Sequence, residues 1–149
     1  ARQHIVLLST IHKLNVGQQR AQGYIKAMNA SGLSPKILES DDQHVGGVMT
    51  EYLNNNPVDA IISLDTDASL AALKAVKTNS KQIPEDVAVI GYVSERMARN
   101  LTPELTTINQ HSYTIGNAAA TMIVEAIRSK SKDMNQVVIS STLSVRGSS

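Results

Sequence analysis

Between Ile83 and Gln110 the chain reads IPEDVAVIGYVSERMARNLTPELTTINQ, and this stretch constrains the fold more than any other. Val87-Ala-Val-Ile90 is a run of four apolar residues that stops abruptly at Gly91-Tyr92. A half-buried strand alternates apolar and polar residues. An unbroken short run bounded by turn residues suits a strand covered on both faces, as in a parallel α/β sheet. An irregular segment follows, and Thr102-Pro103 then leads into a second β-branched run, Thr106-Thr107-Ile108.

The rest of the chain supplies the helices such a sheet needs. His4–Ser9 reads as a first strand. Asn15 is placed to cap a helix running to about Ser31, with Val16, Tyr24, Ala27 and Met28 on its inner side and Gly32 as its stop. Lys36–Glu39 is a short second strand, after which Asp41 or Asp42 can cap a helix. That helix carries Val45, Val48, Met49, Tyr52 and Leu53 at i, i+3, i+4, i+7 and i+8. Asn54–Pro57 breaks it. Ala60–Leu64 is a third strand, a helix from about Asp67 to Asn79 bears Leu70, Leu73 and Val76, and Val87–Tyr92 is a fourth strand. Strands alternating with helices of this length imply right-handed crossovers and a parallel sheet. The fold class is therefore α/β, a Rossmann-like parallel sheet with helices on both faces. After Ile108 the pattern changes to a long helix, Ser112–Lys130, with Ile115, Ala118, Ala119, Met122, Ile123, Ala126 and Ile127 in one stripe. A polar turn, Lys132–Asn135, and a strand, Val137–Val145, close the chain before Gly147-Ser-Ser149.

At 149 residues the chain is long enough for one domain with its own core. Aromatic residues are only 3%, with no Phe and no Trp, so that core is built from Ile, Val, Leu, Ala and Met. A net charge of +1 leaves no electrostatic footprint for sequence-independent nucleic-acid binding. Cysteine is absent, which excludes disulfides and thiolate zinc sites and fits a cytoplasmic protein. No segment approaches the roughly 18 apolar residues of a membrane span. The four histidines, His4, His12, His44 and His111, have no metal-ligand spacing, and no Gly-x-Gly phosphate fingerprint occurs, so neither metal nor cofactor is expected.

The IPEDVAVIGY and LTPELTTINQ phrases, Arg20-x-x-Gly23-Tyr24, DAIISLDTDASLAALKAV at 59–76 and the closing LSVRGSS stand in one order at consistent spacings. Together they resemble the LacI/GalR family of ligand-responsive transcription regulators over nearly the whole chain. The resemblance implies the second subdomain of a type I periplasmic-binding-protein-like effector core. Residues 1–108 would form the effector-binding C-terminal subdomain, 109–134 a crossover helix that packs on the first subdomain, and 135–149 a returning strand. The helix-turn-helix DNA-binding domain and first subdomain would lie outside this chain, and operator DNA would be bound through the former. Family membership further implies a bacterial homodimer, a repressor or activator whose affinity for DNA responds to a small-molecule, carbohydrate effector.

In open α/β sheets ligands sit beyond the carboxyl ends of the strands. Three such ends are Thr10–Asn15, Asp65–Asp67 and Tyr92–Glu95. Arg20 matches the family arginine that holds effector hydroxyls or carboxylates, and a planar guanidinium suits bidentate recognition of such groups; the plainer account is a surface arginine on a helix. Asp65 stands where the family has an effector-contacting Asn or Asp, yet an Asp before a helix is also a favoured N-cap, and Asp67 could take that role instead. Tyr92 could offer a stacking face or simply be a buried strand residue. Many sugar-responsive members have Asp directly after Gly-Tyr, where this chain has Val93, so Ser94 or Glu95 would have to substitute, or the effector is of another kind. His12 lies in the loop after the first strand and could line the pocket. Ser69, Leu70, Leu73 and Met97 are the candidate dimer contacts.

Two other readings compete. A sugar-binding protein of a transport or chemotaxis system shares the fold, although the LTTI and IPEDV phrasing favours a regulator. A phosphoacceptor receiver with Asp65 as its reactive carboxylate needs an acidic pair after the first strand, and Ser9-Thr10-Ile11-His12 stands there. No Ser-His-Asp set or paired carboxylates are in view, and the chain is expected not to be an enzyme.

Overall fold

The computed structural model describes residues 2–129 and 136–149. Six strands form one sheet in the order β2-β1-β3-β4-β5-β6. They are β1 (Ile5–Ser9), β2 (Lys36–Glu39), β3 (Ala60–Ser63), β4 (Ala88–Gly91), β5 (Thr106–Asn109) and β6 (Thr142–Ser144). The first five pair in parallel and β6 runs antiparallel to β5. Between them lie α1 (Asn15–Ala30), α2 (Val45–Asn55), α3 (Thr66–Thr78), α4 (Glu95–Asn100) and α5 (Ser112–Ser129).

Strand alternation sorts the apolar side chains onto two faces. Val6 and Leu8 of β1 join Ile61, Val89 and the inner faces of α2 and α3 in the larger cluster, with Met49, Ala72 and Val76 at its centre. Leu7 points the other way, into a smaller cluster with Tyr24 and Met28 of α1 and with Leu64. Helices α2 and α3 thus cover one face of the sheet, and α1 covers the other around β1.

Several local expectations need correction. Asn15 does not cap α1: Leu14 holds the cap position without a side-chain hydrogen bond. Asn15 Oδ1 instead accepts from Gln19 Nε2 at 3.2 Å. The inner face of α1 is Gly17, Tyr24 and Met28, while Val16 and Ala27 are exposed. Gly17 sets this rotation, because only a residue without Cβ can lie where a Cβ would come 2.1 Å from the Ile11 carbonyl oxygen. Asp41 closes the turn before α2 rather than the helix itself, its Oδ1 accepting from the N–H groups of Gln43 (3.0 Å) and His44 (2.9 Å). The irregular segment after Tyr92 contains a short helix, α4, that no stripe announced. The closing strand is only Thr142–Ser144, because those residues alone pair with β5, and Val137 and Val138 are exposed. The polar turn Lys132–Asn135 and the last residue expected for the long helix, Lys130, lie outside the described residues.

The C-terminal tail is part of the core. Ser148 is buried, its hydroxyl donating to the Val89 carbonyl (2.6 Å) and accepting from Thr106 N–H (2.8 Å), which pins the end of the chain across β4 and β5.

Candidate functional site

Strand order reverses at β1, with β2 on one side and β3 on the other, so the crevice beyond the carboxyl ends of β1 and β3 is the topological switch point. A clasp spans it. Asp65, directly after β3 and Leu64, accepts from Thr10 N–H (2.9 Å) and Thr10 Oγ1–H (2.9 Å) across the crevice. The same carboxylate accepts from Ala68 N–H at 2.8 Å, so Asp65 is the N-cap of α3 and Asp67 is not. Three donors thus occupy most of the acceptor positions of this carboxylate.

Arg20 lies one turn inside α1 and reaches across the same ends. One terminal nitrogen donates to the Leu64 carbonyl (2.6 Å) and the other to Gln110 Oε1 (2.7 Å). Its guanidinium carbon stands 4.0 Å from the centroid of the Tyr92 ring, a stacked cation–π contact. Arg20 therefore links the ends of β3, β4 and β5. The backbone at Tyr92 is held in turn: its N–H donates to Ser69 Oγ (3.1 Å) and its carbonyl accepts from Thr66 Oγ1–H (3.1 Å). Gln110 was not singled out in the sequence. It lies 90 positions from Arg20, and no local spacing connects them.

The remaining sequence-derived site residues fall elsewhere. Ser94 caps α4, accepting from Met97 N–H at 3.2 Å, and its side chain stays exposed. Glu95 is engaged by the Arg146 guanidinium and by Ser144 Oγ–H (2.9 Å), so it is not a free carboxylate for the crevice. Val93 is only 8% exposed and packs in the larger core cluster. His12 is half-buried beside a pocket of about 270 Å³ under α1 that also involves Ser9, Gln18 and Glu39 and none of Arg20, Asp65, Tyr92 or Ser94. The buried Nδ1 of His12 has no hydrogen-bond partner among the described residues.

Two of the four candidate dimer contacts are corrected. Ser69 is fully buried, donating to the Asp65 carbonyl (2.6 Å) and lying 2.9 Å from Ser63 Oγ, and Leu73 belongs to the chain's own core. Helix pitch puts both on the inner side of α3. Leu70 (38% exposed) and Met97 (37%) do present apolar surface. Among the described residues no group of three His, Asp or Glu is placed to hold a metal ion, and no helix is long and apolar enough to cross a membrane.

Comparison with known proteins agrees with this fold. The periplasmic binding protein-like domain family matches residues 2–149. The chain belongs to that family. Among its relatives, the HTH-type transcriptional regulator CelR of Thermobifida fusca is 32% identical over 138 residues, covering 89% of this chain and 41% of CelR. The HTH-type transcriptional repressor PurR of Proteus mirabilis is 29% identical over 131 residues, covering 84% of this chain and 38% of PurR. A solved transcriptional regulator CelR–cellobiose complex superposes with a TM-score of 0.87 at 26% identity, over 100% of this chain and 47% of that one. The chain thus spans about two fifths of the length of the curated relatives it matches. These relatives are transcriptional regulators, and the LacI/GalR resemblance read from the motifs holds.

Proposed function

We propose that this chain is the effector-sensing C-terminal half of a cytoplasmic LacI/GalR-type transcription regulator, binding a small-molecule effector of carbohydrate type. The effector seats beyond the carboxyl ends of β1, β3, β4 and β5, against Arg20 and Tyr92. A second subdomain closes over it and biases a dimer between operator-bound and free forms, the effector shifting that equilibrium only by its differential affinity for the two. The exposed stripe of α5 packs on that subdomain, and Leu70 and Met97 contribute to the dimer. The regulator has no catalytic step of its own.

The observation that carries this reading is Arg20, a fork of N–H donors braced by Leu64, Gln110 and the Tyr92 ring at the strand ends where α/β sheets bind ligands. The CelR relationship, including a complex with cellobiose, supports a sugar as the class. The test is calorimetric titration of the full-length regulator, with a thermal-shift panel of mono- and disaccharides that includes cellobiose supplying the titrant. Arg20→Ala should weaken binding by at least about tenfold while leaving the circular dichroism spectrum unchanged, since one charge-assisted hydrogen bond is worth about 1.5–3 kcal/mol. Equal affinities would overturn the assignment.

A further inference from the structure

Resting on the site just proposed, we infer that the effector carries an oxyanion, a carboxylate or phosphate, directed at Arg20. The reason is the balance of charge and hydrogen-bonding groups at these strand ends. Arg20 is half-buried, and both of its protein hydrogen bonds go to neutral acceptors, the Leu64 carbonyl and the Gln110 amide. Among the described residues no carboxylate pairs with it. A guanidinium has five N–H donors, so three remain.

Asp67, in the first turn of α3, is exposed and makes no ion pair with Arg20, and the other nearby carboxylates are committed elsewhere. Asp65 answers three donors and the N-terminus of α3. Glu95 is held by Arg146 and Ser144. Asp41 accepts from Gln43 and His44 at the end of β2. That end and Asp42 lie on the far side of β1 from the ends of β3, β4 and β5 that Arg20 spans. The first turn of α1 has no acidic residue, and Val93 offers no oxygen. Neutral sugars present hydroxyls that need acceptors as well as donors. The three free N–H groups of Arg20 are the complement of an oxyanion, which a guanidinium fork can grip through two parallel hydrogen bonds.

The test is a ¹⁵N–¹H NMR titration of the full-length regulator with three matched probes: glucose, glucuronate and glucose 6-phosphate. Glucuronate or glucose 6-phosphate should shift the Arg20 side-chain resonance and the amides of Leu64, Thr66 and Tyr92 at concentrations at least about tenfold below glucose. That preference should weaken with added salt. It should be lost in Arg20→Gln and only partly kept in Arg20→Lys, which retains the charge without the fork, each variant checked for an unchanged amide spectrum away from the site. A response to only one of the two anions supports the inference and separates carboxylate from phosphate. Glucose shifting the Arg20 cluster as strongly as its anionic counterparts overturns the inference and leaves the effector site standing. Silence of that cluster toward all three probes overturns both.

Discussion

Tyr24 shows what one polar atom contributes to this sheet. Its ring belongs to the α1-side core, while its hydroxyl lies 2.9 Å from the Ile5 carbonyl and 3.1 Å from the Lys36 carbonyl and accepts from Lys36 N–H at 2.9 Å. One phenol thereby ties the starts of β1 and β2 to the middle of α1. Burial raises its pKa above the ordinary tyrosine value, the Lys36 N–H pulling it back and Tyr52 adding to the rise. An acid whose pKa is raised on folding contributes stability that is complete below the unfolded tyrosine pKa. That stability is lost as pH rises through the folded value. Tyr24→Phe should cost about 1–3 kcal/mol at neutral pH, read as a lower urea midpoint, and should remove part of the alkaline fall in stability. An alkaline limb unchanged in the variant would show that the phenol is not its source. Asp65 is the second instructive residue. From sequence it could be a helix cap or a ligand contact. The structure makes it both the cap and the clasp to Thr10, which fixes where the loop after β1 stands.

Among the elements, α1 carries most of the site, and its rotation is set by one contact. With Gly17 against the Ile11 carbonyl, Arg20 is turned toward the strand ends and Val16 toward solvent. Gly17→Ala would force a Cβ into a backbone oxygen that no rotamer change can move aside. The expected cost is about 1–3 kcal/mol or more, measured by chemical denaturation, with a loss of effector binding beyond what destabilisation explains. An alanine variant as stable as the parent would show that α1 can shift without penalty. The sequence marked α1 as a helix with Tyr24 and Met28 inside, as they are, but it also placed Val16 and Ala27 there and passed over Gly17. Val16 is apolar and Gly17 is not, and hydropathy cannot see a residue chosen for its missing side chain. The short α4 escaped for a related reason: six residues span less than two turns, too few to show a period.

On the scale of the whole molecule, α5 stands apart. Not one of its 18 residues is buried, and Ile123 and Ile127 are 59% and 70% exposed. An amphipathic helix normally hides such a stripe, and a contiguous exposed apolar patch marks an interaction surface. The chain by itself should therefore self-associate in solution. The double substitution Ile123→Glu and Ile127→Glu should move its elution in size-exclusion chromatography with light scattering toward the monomer. A parent chain that is already monomeric at high concentration would contradict this.

What the sequence determined by itself was the class of fold, the order of its elements apart from α4, and the family. Strand runs, helix stripes and short motifs are local patterns, set by the backbone periods of 2 and 3.6 residues. Arg20, Asp65 and Tyr92 could be singled out in the same way, each beside a recognisable phrase. Tertiary structure decided how those residues are used. The meeting of Arg20 with Gln110, the clasp from Thr10 to Asp65, and the withdrawal of Val93 and Glu95 from the crevice all join positions far apart in the chain. The same holds for Ser69 and Leu73, whose burial depends on which side of α3 meets the sheet. Such contacts follow from strand order and helix rotation, which are settled by packing both faces of the sheet at once.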